Sequence, residues 1–153
     1  MIQFPDELIS EYVSHKNLNG ENFNWWSFVN MKSDIQTALG FVKLFYPDVL
    51  DVEGCFILKN RFFESIFKQW REKETEKSIV EKMVNLYEIK DFFHINVDDN
   101  DNQEKLQRAF GEALKQFWTM SFNERYPEKN VKVILFEEYD ELFITVYTND
   151  AEI

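Results

Sequence analysis

The sequence predicts an α+β fold in a single domain over residues 1–153, with several amphipathic helices and a small antiparallel sheet. Apolar residues recur at helical spacing through most of the chain, whereas the C-terminal part alternates like a β-hairpin. With 16 Phe, 6 Tyr and 4 Trp, the chain has the core material that a disordered acidic chain lacks. Long helices with a few strands are typical of the α+β class, and at this length the core needs no metal or disulfide.

Breaker residues divide the N-terminal third into helices. Pro5 followed by Asp6 and Glu7 indicates a helix start, because acids suit the positive end of the helix dipole. Pro47 ends the last of these helices, because proline lacks the N–H group that a helix needs. The predicted elements are, in order, a helix over 5–14, a loop over 17–22, a helix over 25–31, a break at 33–34 and a helix over 35–46.

The middle of the chain alternates strand and helix signals. The spacing of Asp101 and Glu104 has the form of a capping box, which predicts the start of a long helix. The buried stripe of that helix is predicted to contain Leu106, Phe110, Ala113, Leu114 and Phe117. The predicted elements are, in order, a buried strand over 55–58, helices over 62–70 and 76–87, a strand over 92–97 and the long helix over 101–123.

The C-terminal hairpin is the clearest strand signal. Residues 131–136 and 142–148 are rich in β-branched and aromatic side chains, and an acidic turn over 138–141 separates them. In the second strand, the side chains that point to one face and those that point to the other both include apolar residues. We therefore expect both faces of that strand to be partly covered.

The net charge of the chain restricts the kind of molecule that it is expected to bind. The chain has 28 acidic and 17 basic side chains, so its formal net charge is −11. Such a surface attracts a basic protein and repels nucleic acid and anionic membranes, so we expect no direct binding to either of the latter. We see no leader sequence and no apolar run long enough to span a bilayer, and Cys55 alone permits no internal disulfide. We therefore expect a cytoplasmic protein.

The acids are concentrated in two segments. Residues 88–104 contain six acids and one base, and residues 130–153 contain the same numbers. We expect the two segments to share one face that binds a basic partner, with an aromatic anchor between the acids; if they lie apart, the charge serves solubility alone. Trp25 and Trp26 lie about 100° apart on a helix, so one of them is a second candidate anchor. The candidate partner-binding residues are Asp98, Asp99, Asp101, Glu137, Glu138, Tyr139, Asp140 and Glu141.

Residues for catalysis or metal binding form no recognisable pattern. The run from Asp98 begins like a calcium loop, but Gln103 and Ala109 stand where the loop needs Gly and Glu. The two histidines and Cys55 lack the spacing of a transition-metal site, and no Gly-rich phosphate loop or Gly-x-Ser-x-Gly motif occurs. We therefore expect no metal, no cofactor and no enzymatic activity. The enzyme alternative needs Cys55 and His94, or a carboxylate pair, to come together by folding.

Two segments resemble small bacterial immunity proteins from polymorphic-toxin and contact-dependent growth inhibition loci. They are residues 45–56, FYPDVLDVEGCF, and the amphipathic helix over 62–70. The resemblance implies a cytoplasmic inhibitor that binds one cognate toxin, commonly a basic nuclease, and blocks its active site or substrate groove. It carries over no functional residue. The alternative is a nucleic-acid mimic that inhibits a DNA-handling enzyme, since acids spaced like phosphates would serve that role as well.

Overall fold

Two antiparallel sheets and six α-helices make up the part of the chain that the computed structural model describes, residues 3–96 and 102–150. The predicted α+β class is confirmed. The helices are α1 (Ser10–Asn19), α2 (Trp25–Lys32), α3 (Ile35–Phe45), α4 (Glu64–Lys73), α5 (Lys77–Val84) and α6 (Gln103–Arg125). The strands are β1 (Val49–Val52), β2 (Cys55–Leu58), β3 (Tyr87–Glu88), β4 (Val131–Glu138) and β5 (Glu141–Thr148). Single 3-10 turns lie at Asp6–Leu8, Lys59–Arg61 and Ile89–Asp91.

Two-residue turns close both hairpins. β1 pairs with β2 through Glu53 and Gly54, which both have positive φ. Turns of this kind match the right-handed twist of the strands that they join. β4 pairs with β5 in a register that ends at Glu138↔Glu141, and β3 pairs with the other edge of β5. The predicted C-terminal hairpin is confirmed.

The main core lies between α6 and the three-stranded sheet. Gly111 allows the close approach of the helix, because a Cβ atom there would lie 2.9 Å from Cδ1 of Leu135 on β4. The predicted stripe of α6 is confirmed only in part, since Phe117 lies at the margin and Trp118 takes the buried place. The buried positions of α6 are Gly111, Leu114, Trp118, Ser121 and Phe122.

β2 is buried on both faces because it separates two cores. Phe56 and Leu58 face the main core, whereas Cys55 and Ile57 face a second core that includes side chains of α4 and α5. Alternate side chains of a strand point to opposite faces, which explains why the unbroken apolar run of β2 is buried throughout.

The two sheets are joined by the side chains of Glu81 and Asn85, which we call the polar bridge. Both residues are fully buried at the C-terminal end of α5. Oε1 of Glu81 accepts the N–H of Phe56 on β2 at 2.7 Å. Oε2 of the same carboxylate accepts the N–H of Thr148 on β5 at 2.6 Å, and the Thr148 hydroxyl lies 2.9 Å from it. One carboxylate therefore satisfies backbone donors from both sheets.

Asn85 makes the second half of the polar bridge. Its Oδ1 accepts the N–H of Leu58 at 2.8 Å, and its Nδ2 donates to the carbonyls of Phe56 and Val146 at 2.8 and 2.9 Å. Side-chain hydrogen bonds thus take the place of strand pairing between β2 and β5. They satisfy backbone groups that would otherwise be buried without partners.

The predicted break between two N-terminal helices is confirmed. Asp34 caps α3 by accepting the N–H of Thr37 at 2.8 Å. That hydrogen bond lowers the pKa of the Asp34 carboxyl below its ordinary value. The preceding helix, α2, has its own cap, in which Asn24 and Ser27 form a capping box.

Two predicted boundaries near the N-terminus are wrong. The segment after Pro5 forms a 3-10 turn, and the first α-helix begins only at Ser10. The helix then continues to Asn19, through residues predicted as loop, and the Asn19 side chain donates to the His15 carbonyl at 2.7 Å. Gly20, with a φ of 84°, ends it at a backbone conformation that favours glycine.

The strand predicted over 92–97 is also wrong. The described residues of that segment form a turn in which Phe93 has a φ of 62° and its carbonyl accepts the N–H of Asn96. Val97 lies outside the described residues. The third strand is Tyr87–Glu88, which the helical pattern places at the end of the preceding helix.

The long helix α6 begins at Gln103, with Asn102 at the N-cap and no side-chain capping hydrogen bond from it. The capping box predicted for Asp101 and Glu104 stays a prediction, because Asp101 lies outside the described residues. The helix ends at Arg125, two residues beyond the predicted end.

Candidate partner-binding surface

The tip of the C-terminal hairpin projects the central part of the predicted site. Tyr139 and Asp140 form a two-residue turn between the paired residues Glu138 and Glu141, with φ values of 52° and 62°. Two consecutive positive φ values are those of a type I′ turn. Strands of eight residues lead into and out of this turn, so the position of Tyr139 is set by the sheet.

Tyr139 stands between two exposed carboxylates, those of Glu138 and Asp140. Its side chain is 90% exposed. Glu138 and Asp140 are exposed as well, and neither forms an ion pair with another residue in the described part of the chain. A partner would therefore meet an aromatic ring flanked by two negative charges.

We expect the substitution Tyr139→Asn to raise the free energy of unfolding by about 0.5–1 kcal/mol. The reason is that asparagine adopts positive φ more readily than a bulky aromatic residue. Urea unfolding with an unchanged slope measures the difference. Tyr139→Phe is the matched control, expected to stay within about 0.5 kcal/mol of the original chain. A loss of stability in Tyr139→Asn would show that the tyrosine does not strain the turn.

Glu137 and Glu141 differ from the other two acids of the tip because each is paired within the chain. Glu137 contacts the guanidinium group of Arg108 on α6. Glu141 lies 2.6 Å from Nζ of Lys90, which also pairs with Glu88 at 2.8 Å. The hydrogen bonds with Glu141 and Glu88 raise the pKa of the Lys90 ammonium well above its ordinary value. These pairs hold the hairpin against its neighbours and leave less charge available to a partner.

A shallow groove of about 540 Å³ separates the hairpin tip from the first turns of α6. Glu104, Lys105 and Arg108 line its helix side, and Glu137 and Asp140 line its hairpin side. The N-terminal end of α6 therefore lies beside the tip and adds a carboxylate to it.

The other predicted acidic segment lies outside the described residues. It contains Asp98, Asp99 and Asp101, and the described chain resumes at Asn102. That this segment shares one face with the hairpin tip stays a prediction.

The two adjacent tryptophans have different environments. Trp25 stacks on Tyr12 with ring centroids 3.7 Å apart, and its Nε1 donates to Asp6 at 3.1 Å. Trp26 is 77% exposed. Of the two candidate anchors, Trp26 is therefore the one that a partner can reach.

Sequence reasoning missed an exposed apolar face on α3. Ile35, Leu39 and Val42 lie on one side of the helix at helical spacing, and all three are exposed. The opposite side packs on α6, where Phe45 contacts Phe117 at 5.0 Å between ring centroids. The sequence signal for this face is an 11-residue helix with more apolar residues than one side can hold.

The structure does not bring Cys55 and His94 together. Cys55 is buried in the second core, and burial raises the pKa of its thiol. His94 lies on an exposed turn, with Nδ1 2.9 Å from the carbonyl oxygen of Asp91. In residues 3–96 and 102–150 no group of three or more His, Cys, Asp or Glu could hold a metal ion.

Comparison with known proteins gives no relative for this chain. No family model, curated protein or solved structure matches it. Among the described helices, none combines the length and the apolar character needed to cross a bilayer.

Proposed function

We propose that this chain is a non-enzymatic binding protein that recognises a basic protein partner through the tip of its C-terminal hairpin. The supporting observation is Tyr139, which is exposed on a turn that disfavours tyrosine, between two carboxylates that form no ion pair with any described residue. Bulky residues rarely adopt positive φ, and such strain is concentrated at functional sites. Tyrosine is also enriched among the residues that dominate binding energy at protein interfaces.

Within that class we propose an immunity protein that neutralises a basic toxin domain. A net charge of −11 would steer a basic surface toward the chain and accelerate their encounter. Glu138 and Asp140 would then pair with basic residues of the toxin while the Tyr139 ring is buried between them. The resemblance of residues 45–56 and 62–70 to immunity proteins agrees with this function.

The alternative, a nucleic-acid mimic, would use the same acids but would differ in the number of partners that it binds. A mimic competes with DNA for several DNA-binding proteins, whereas an immunity protein binds one partner. The single aromatic anchor at the tip favours the immunity protein, because a ring between two carboxylates adds shape recognition that a string of phosphates lacks.

Affinity capture from the cell that expresses the chain tests the proposal with three baits. They are the original chain, Glu138→Lys/Asp140→Lys, and the control Glu124→Lys/Glu128→Lys. The control changes the net charge equally at exposed positions before β4, about 25 Å from the tip at the rise of a β-strand. We expect the original chain and the control to recover the same basic protein. The tip variant should recover at least about tenfold less, because like charges would face each other.

Two outcomes of the capture would contradict the proposal. Equal recovery by the tip variant and the control would show that the hairpin tip is not the binding site. Recovery of several unrelated DNA-binding proteins, all displaced by added DNA, would identify a nucleic-acid mimic instead.

The same partner tests whether the two acidic segments share one face. If they do, Asp98→Lys/Asp99→Lys weakens binding to the purified partner in the same direction as the tip variant. Unchanged affinity for this variant would show that the 98–101 segment lies away from the interface.

A further inference from the structure

A cavity of about 840 Å³ lies between the N-terminal segment, the turn after β3 and α6. Its volume falls within the range of about 300–1,000 Å³ that is usual for small-molecule sites. The aromatic side chains of its wall are Phe4, Phe45, Phe92, Phe93 and Phe110. The cavity is separate from the hairpin tip, so a function for it does not depend on the proposed protein partner.

The rings of the cavity wall are held in place by one another. The Phe110 ring lies 5.3 Å from Phe92, 5.6 Å from Phe93 and 6.0 Å from Phe45, measured between centroids. Such edge-on and tilted contacts are favourable aromatic geometries. A flat apolar molecule placed in the cavity would gain dispersion energy against these rings.

Phe93 is a strained residue at the edge of this cavity. Its φ is 62°, and its side chain is 47% exposed although it lines an aromatic wall. A bulky residue with positive φ is an outlier, and strained residues are concentrated at ligand clamps. The Phe93 ring packs against Phe41 and Phe110, at 5.8 and 5.6 Å between ring centroids, and a ligand in the cavity would cover part of its exposed surface.

The polar rim selects for an uncharged molecule that donates a hydrogen bond. Nδ1 of His94 lies 2.9 Å from the carbonyl oxygen of Asp91, which can only accept, so Nδ1 carries the hydrogen, and in that tautomer Nε2 is the acceptor. The positive charge of Lys90 is already paired with Glu88 and Glu141. Asp91 also lines the cavity. An anionic ligand would therefore meet negative charge without a cation of its own.

We propose that this cavity binds an uncharged aromatic molecule that carries an N–H or O–H donor. The aromatic part of the ligand packs against the phenylalanine rings, and its donor reaches Nε2 of His94 or the Asp91 carboxylate.

Fluorescence titration with N-phenyl-1-naphthylamine tests the proposal, because this probe is an uncharged aromatic amine that brightens in apolar surroundings. Its sulfonated counterpart, 8-anilinonaphthalene-1-sulfonate, has the same rings and a negative charge. We expect saturable binding of the uncharged probe at one site and at least about tenfold weaker binding of the sulfonate. Equal affinities would overturn the selection against anions.

Two variants and a control locate the bound probe. Ala113→Phe places a ring in the cavity and should weaken the uncharged probe at least about tenfold. Ala38→Phe makes the same change at an exposed position of α3. It should leave the affinity for the uncharged probe within about twofold of that of the original chain. Phe93→Gly removes the wall at a position whose φ favours glycine, so this variant should fold and bind weakly. The proposal is wrong if the uncharged probe shows no saturable binding, or if Ala113→Phe and Phe93→Gly both bind it as the original chain does.

Discussion

The substitution Glu81→Leu is expected to lower the free energy of unfolding by about 3 kcal/mol or more, because each buried donor left without an acceptor costs about 1–3 kcal/mol. The carboxylate accepts the backbone N–H groups of Phe56 and Thr148 and is fully buried between them. Leucine fills a similar volume and accepts neither. Urea unfolding, with the slope held constant between variants, measures the change.

Two further variants isolate the hydrogen bonds of Glu81. Glu81→Gln keeps one oxygen acceptor but turns an NH₂ group toward the other backbone donor. It should therefore lower the free energy of unfolding by less than Glu81→Leu does. Glu72→Leu makes the same chemical change at an exposed position of α4 and should stay within about 0.5 kcal/mol. An unfolding midpoint for Glu81→Leu equal to that of Glu72→Leu would contradict the polar bridge.

The substitution Asn85→Leu is expected to lower the free energy of unfolding by about 3 kcal/mol, because it leaves one buried donor and two buried acceptors without partners. Asn85 accepts from Leu58 and donates to the carbonyls of Phe56 and Val146. The same urea titration measures this loss.

The control for Asn85 is Asn123→Leu, on an exposed position of α6. It should stay within about 0.5 kcal/mol of the original chain. Asn85→Asp keeps the acceptor for Leu58 but faces two carbonyls with a carboxylate, so it should destabilise the fold as well. If Asn85→Asp and Asn85→Leu both unfold at the same urea concentration as the original chain, the side-chain link between the sheets is not needed for stability.

Local signals made the C-terminal hairpin and the helix break predictable, whereas the polar bridge depends on tertiary contacts. The turn at 138–141 and the break at 33–34 are encoded by adjacent residues. Glu81 lies between Val80 and Lys82 in a helix with alternating charges, which in isolation is typical of a solvent-facing position. Its burial becomes evident only when β2 and β5 are placed beside α5. Tyr87 was misassigned for the same reason, since its pairing partner Ile144 is far away in the chain.

The candidate site was predictable as an acidic turn, but the roles of its residues were not. The sequence gives Glu137, Glu138, Asp140 and Glu141 as equivalent acids. Their difference comes from Arg108 and Lys90, which are distant in sequence and pair with the first and last of the four. The strain at the tip was likewise hidden, because it depends on a two-residue loop and therefore on the exact strand register.

The salt dependence of binding to the captured partner tests the account of the hairpin tip most directly. Dissociation constants would be measured at low and physiological salt for the original chain, Glu138→Lys/Asp140→Lys and Glu124→Lys/Glu128→Lys. If the hairpin tip is the binding site, the tip variant binds at least about tenfold more weakly at low salt, and its affinity depends less on salt. The control should retain the affinity and most of the salt dependence of the original chain. Equal dissociation constants for the tip variant and the control at both salt concentrations would contradict the account.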